Sequence, residues 1–149
     1  MKRRAARELA FRVLYQAEIG EFALKATLEQ VVADVKPSGA VADYCSVVVG
    51  KVDANRAEID GAISGASRHW RLERMAVTDR NILRLAVAEL LYVAEVPARV
   101  VIDEAIELAK KYGDEASSRF VNGILDAVAK KVRAEELSRP RAKSNKGQA

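Results

Sequence analysis

Apolar residues recur at intervals of three and four from one end of the chain to the other, and no stretch shows the two-residue alternation, bounded by turn signals, that a strand requires. That pattern excludes sheet architectures and predicts an all-α fold of about six to seven helices in two small packed bundles. The first helix is expected over residues 3–19, with Ala6, Leu9, Ala10, Val13, Leu14 and Ala17 on one face and Gly20 as its stop. A second follows over 22–35 and is broken by Lys36-Pro37-Ser38-Gly39. The third, over 40–66, is expected to be the longest, and the spacing of Gly61 and Gly65 reads as close helix packing. Residues 67–75 read as a short helical turn. Thr78 is the expected N-cap of a helix over 79–94 whose apolar residues cover nearly the whole circumference, the pattern of a central buried helix. Val96-Pro97 opens a helix over 98–112, and Gly113-Asp114 separates it from a last one ending near 134.

These helices predict one domain over residues 1–137, with subdomains of about 3–66 and 68–134, followed by a disordered basic tail over 138–149. At 149 residues with 50% hydrophobic content, the chain is long enough to bury a core. One Cys cannot form an internal disulfide, and one Cys with one His cannot complete a four-ligand Cys/His zinc site. No metal and no cofactor are therefore expected, and the expected compartment is the reducing cytoplasm. No run approaches the roughly 18 apolar residues of a membrane span.

The formal charge of +4 conceals a segregation. Residues 1–12 carry five basic groups against one acid, and residues 139–149 carry four basic groups and none. The stretch between holds 16 basic and 20 acidic residues. A mildly acidic body with two basic ends points to a polyanion-binding element. Glu8, Arg12 and Glu18 interrupt any secretory apolar run, and a transit peptide would be richer in Ser and poorer in acids.

Catalytic constellations are missing from the inventory: no phosphate loop, dinucleotide turn, HExxH or GxSxG occurs. Asp103, Glu104 and Glu107 read as a solvated face, Cys45 as a small core residue, and His69 beside Trp70 as a structural contact near a turn. No active site is expected. Binding features are stronger. Arg3, Arg4 and Arg7 lie on the first two helical turns, and each guanidinium fork matches a phosphate. Phe11 and Tyr15 are i, i+4 neighbours on the face away from the core stripe, where an exposed pair could anchor a partner or stack on bases; packing within the domain is the competing reading, and the sequence does not say which ring is exposed. In Arg119-Phe120-Val121-Asn122-Gly123, Asn and Gly inside a helix cost roughly 0.6 and 1 kcal/mol relative to Ala. Asn122 offers a donor and an acceptor for a base edge. Gly123 admits either a neighbouring helix or a ligand.

Taken together, the opening RRAARELAFRVLYQAE, Trp70-Arg-Leu-Glu-Arg-Met, Thr78-Asp-Arg-Asn-Ile-Leu-Arg-Leu-Ala, Val96-Pro97 with Val101-Ile-Asp-Glu-Ala-Ile-Glu-Leu-Ala-Lys-Lys-Tyr-Gly113, and Arg119-Phe-Val-Asn-Gly-Ile-Leu125 resemble the bacterial NusB family of transcription antitermination factors. The likeness spans residues 3–133 with every block in order. It implies a non-enzymatic protein that binds the boxA element of ribosomal RNA leader transcripts together with NusE, the tenth small-subunit ribosomal protein, and joins elongating RNA polymerase with other Nus factors. By the same resemblance Arg3, Arg4, Arg7, Arg119, Phe120, Asn122 and Gly123 form the RNA surface. Tyr15 and Asp79 form the NusE face, with Arg80, Arg84 and Glu89 as rim candidates. Ala116, where members often carry an acid, and Arg119 in place of a frequent Lys depart from the pattern. The same helical fold also serves as the N-terminal domain of RNA cytosine methyltransferases, but this chain lacks room for their doubly wound methyl-donor domain and its glycine fingerprint. A helical protein-interaction module without an RNA role is a further alternative.

Overall fold

The computed structural model describes residues 2–138, so the tail expected to be disordered falls, from Arg139 onward, outside the described residues. Among those described there are eight α-helices, one 3-10 turn and no strand. The helices are α1 (Lys2–Gly20), α2 (Leu24–Val35), α3 (Gly39–Ala54), α4 (Arg56–Ala66), α5 (Val77–Tyr92), α6 (Ala98–Tyr112), α7 (Ser117–Val132) and α8 (Ala134–Leu137), with the 3-10 turn at Leu72–Arg74.

Local chemistry sets the boundaries. Gly20 is the last residue of α1, but the left-handed residue that stops the helix is Glu21, at φ 57°; it lets the Phe22 amide reach back to the Ala17 carbonyl at 2.9 Å. Lys36 does the same for α2 at φ 53°. Ser38 caps α3, its hydroxyl accepting from the Val41 amide. The predicted long third helix is in fact two, because Asn55 leaves helical geometry at φ −129° while its side-chain amide donates to the Lys51 carbonyl at 2.9 Å. A short polar side chain that satisfies the backbone locally is the usual competitor of a continuing helix. Ala76, not Thr78, precedes α5, with no side-chain cap. The Asp114–Ser117 turn opens α7 through mutual bonds: the Ser117 hydroxyl accepts from the Asp114 amide, and Asp114 accepts from the Ala116 amide. A Cβ on Gly113 would lie 2.8 Å from the Ala109 carbonyl, so only Gly lets the chain turn that closely.

Helix α5 is central, packing against α1, α3, α4, α6 and α7. Every residue from Arg80 to Leu90 is buried, as an all-round apolar pattern requires. One contiguous core runs from Leu9 through Val48, Ile59 and Leu83 to Leu125, so both predicted subdomains contribute to it. Cys45 is fully buried in this core, and burial pushes its thiol up to about 11. Gly61 and Gly65 do not mediate helix packing: both are exposed, and a Cβ on either would meet nothing within 4 Å.

Candidate functional site

Helices α1 and α5 run antiparallel, which brings the start of α1 to the end of α5. There the three arginines of the basic arm separate into different roles. Arg4 is 61% exposed at its side chain and presents its fork to both carboxylate oxygens of Glu104 on α6, at 2.9 and 2.8 Å. That hydrogen-bonded pair raises the Arg4 pKa and lowers that of Glu104. Arg3 is exposed and lies over the Tyr44 ring, 4.1 Å from its centroid. Arg7 differs from the sequence expectation. It is 5% exposed, and its Nε donates to Glu89 at 2.9 Å. Position 7 falls beside Ala6 and Ala10 on the buried sector of α1, so its guanidinium points into α5 rather than to solvent. Tyr44 completes the cluster, its hydroxyl donating to Glu89 at 2.6 Å. Burial opposes the charge on Arg7, yet Glu89 holds its pKa above the ordinary value. Burial and the bond to Glu89 both push the Tyr44 phenol up.

On α7, Arg119 and Asn122 are exposed and make no hydrogen bond or ion pair among the described residues. Phe120 is partly buried against the core beside fully buried Val121. Gly123 is exposed, with no atom within 4 Å of where a Cβ would stand. The helix-packing reading of Gly123 therefore fails, and its cost of about 1 kcal/mol within a helix is not offset by any internal contact. No hydrogen bond, ion pair or ring contact links these residues to Arg3 or Arg4 among the described residues.

A second surface lies further along α1. Of the two aromatics, Phe11 is the buried one, its ring 4.9 Å from Tyr112 and 5.9 Å from Tyr15, whereas Tyr15 is 38% exposed. Tyr15, Ile19, Phe22, Thr78 and Tyr112 help to line an apolar groove of about 510 Å³. Phe22 and Ile19 are 64% and 58% exposed. Sequence reasoning missed both, although each lies beyond the Ala6–Ala17 stripe and so had no core position to fill. Asp79 follows Thr78 at the head of α5. Its Oδ1 is buried with no hydrogen-bond partner. Burial raises its pKa and the charge of Asp114 reinforces the shift, with the Ser117 hydroxyl opposing it.

Arg80, Arg84 and Glu89 are not rim residues. All three are buried on α5, where Arg84 forks Asp60 at 2.9 and 3.1 Å and, with Arg80 and Asn81, holds Glu18. Burial alone would raise the Glu18 pKa, but the bonds from Arg80 and Asn81 bring it below the ordinary value. One signal could have revealed this: charges inside a helix that is apolar all round must meet buried counter-charges.

Among the described residues no group of His, Cys, Asp and Glu could hold a metal, and no helix is long and apolar enough to cross a membrane. A sequence model of the NusB family matches residues 4–130. Transcription antitermination protein NusB of Bacillus mycoides is 46% identical over 129 residues, covering 86% of this chain and 97% of that protein. The protein of the same name from Pseudothermotoga lettingae is 44% identical, covering 91% and 96%. Among solved structures, T. maritima NusB superposes with a TM-score of 0.84 at 39% identity, covering 92% of this chain and 97% of that one. A NusB chain solved with NusE and double-stranded RNA superposes with a TM-score of 0.80 at 31% identity, covering 87% and 97%. With the helical fold and matches of this extent, the chain belongs to the NusB family of transcription antitermination proteins, which are not enzymes.

Proposed function

We propose that this chain is an RNA-binding adaptor that holds the unpaired boxA element of ribosomal RNA leader transcripts and NusE at once, and with other Nus factors joins the cytoplasmic RNA polymerase elongation complex. Arg3 and Arg4 contact phosphates, while Arg119, Phe120, Asn122 and Gly123 hold or read unpaired bases. Arg7 acts from within, fixing the helix that carries the other two. Tyr15 and Asp79 mark the face that receives NusE, an apolar side chain of the partner lying in the groove between Ile19 and Phe22.

The observation that carries the RNA reading is Gly123 exposed in mid-helix beside unpartnered Arg119 and Asn122. Among the described residues no hydrogen bond or ion pair engages Arg119 or Asn122 and nothing lies within 4 Å of the Gly123 Cβ position, and open backbone next to free donors suits a ligand that approaches closely. The relative solved with NusE and RNA supports the choice of both partners. The test titrates labelled boxA RNA, with and without NusE, at two salt concentrations against the wild type, Arg3→Ala/Arg4→Ala and Arg119→Ala/Asn122→Ala. Each double variant should weaken binding at least several-fold. Loss of the phosphate contacts should also make the salt dependence shallower by about 0.7 for each contact removed. Unchanged affinity in both variants overturns the RNA surface, and RNA affinity indifferent to NusE overturns the coupled adaptor.

A further inference from the structure

The connection between α4 and α5 shows an unusual combination. Trp70 is 57% exposed, and Arg68, His69, Arg71 and Arg74 around it are exposed as well. The loop that carries them is nonetheless firmly anchored. The Ser67 hydroxyl donates to the Trp70 carbonyl at 2.8 Å, and Arg80 donates to the Leu72 and Met75 carbonyls at 3.0 and 2.9 Å. Leu72 and Met75 are buried, so the backbone is held down on both sides while the indole stays outside. Core packing thus explains Leu72 and Met75 but leaves Trp70 unexplained.

Three exposed arginines, Arg68, Arg71 and Arg74, flank Trp70 along the chain, against one carboxylate, Glu73. Its contact with Arg71 is 3.7 Å long between side chains 77% and 72% exposed, a pair that contributes little and is easily displaced. The nearby acids Glu18 and Asp60 are already engaged by Arg80 and Arg84. Arg68 also borders a groove of about 220 Å³ between α4 and α7, whose opposite side holds Lys131, so the positive charge continues beyond the loop. An aromatic face framed by cations is the combination that binds single-stranded nucleic acid without regard to sequence: the ring stacks on a base and the guanidinium groups hold the flanking phosphates.

We infer that Trp70, with Arg68, Arg71 and Arg74, forms a second, sequence-tolerant site for single-stranded RNA. It lies at the opposite end of α5 from the arginine arm. Arg80 anchors the loop and Glu89 anchors the arm, nine residues apart along a helix that rises about 1.5 Å per residue. The inference rests on the reading that this chain handles RNA, yet it is independent of which residues read boxA.

Trp70 is the sole tryptophan of the chain, so its emission reports the site directly. The probe is a short oligoadenylate, which lacks boxA, titrated against the full chain and against Arg3→Ala/Arg4→Ala. Saturable quenching that persists in the arm variant is expected. In Arg68→Ala/Arg71→Ala/Arg74→Ala the quenching should require at least five-fold more RNA. With end-labelled RNA and anisotropy on the arm-variant background, Trp70→Ala should bind at least five-fold more weakly and Trp70→Phe should recover most of the loss. Circular dichroism should be unchanged in each variant, because the substituted side chains are exposed. Absence of quenching, or its complete loss in the arm variant, overturns the inference. So does an oligoglutamate that perturbs Trp70 equally and displaces the RNA, which would make the patch a dock for an acidic protein. Failure of the boxA reading shows separately, as boxA binding that ignores the arm and α7 substitutions while Trp70 quenching stands.

Discussion

Asp79 and Glu104 are both carboxylates at proposed binding surfaces, and their surroundings drive them in opposite directions. Asp79 has a buried oxygen without a partner and a raised pKa. A folded-state pKa above the unfolded one gives stability that is complete at low pH and is lost as pH rises through the folded value. At neutral pH the ionised group therefore opposes folding. Asp79→Asn should raise the Tm at pH 7 by a few degrees, with the gain vanishing below the carboxylate range, and should weaken NusE binding in the same samples. A variant less stable at pH 7 would contradict the assignment. Glu104 instead occupies the Arg4 fork that a phosphate would need. Glu104→Gln should tighten RNA binding a few-fold in the wild type and not in an Arg4→Ala background, a double-mutant cycle measurable by anisotropy. An equal gain in both backgrounds would show only a general charge effect.

At the level of elements, the stripe of α1 and the central place of α5 were legible because burial on a helix repeats with its turn. Two features were not. Asn55 lies in an otherwise continuous apolar pattern, and Asn costs too little within a helix to mark a break by itself. The charges on α5 were read as rim from the family resemblance, and periodicity could not correct this, because it records which face a residue occupies, not whether another helix brings it a counter-ion. Arg7 was misread for the same reason: the partner that buries it stands 82 positions away. Its loss should be felt in folding. Arg7→Ala leaves buried Glu89 with the Tyr44 hydroxyl but without a counter-charge and should cost about 3–5 kcal/mol in urea unfolding, whereas Arg7→Met/Glu89→Met should recover much of that. Arg3→Ala/Arg4→Ala should change stability by less than about 1 kcal/mol, which is why that pair, without Arg7, is the appropriate RNA-binding variant.

For the whole molecule, composition and charge segregation anticipated a binding protein with a basic end, and the arrangement of helices shows how that end is displayed. Residue type and spacing singled out the Phe11/Tyr15 pair and the α7 segment without saying which ring is exposed, whereas Ile19, Phe22 and the Trp70 loop emerge only when exposure is known, because a large apolar residue in a sequence reads first as core. The buried Arg7–Glu89–Tyr44 cluster has one more consequence. A basic peptide that wraps RNA from a random coil must lose its backbone freedom at the moment of contact, about 1–2 kcal/mol for every residue ordered. Here the segment bearing Arg3 and Arg4 is already helical and pinned one turn further along, so that loss is incurred once, when the chain folds. RNA meets cations whose spacing is fixed beforehand, and the calorimetric entropy of its association should carry little contribution from the protein backbone.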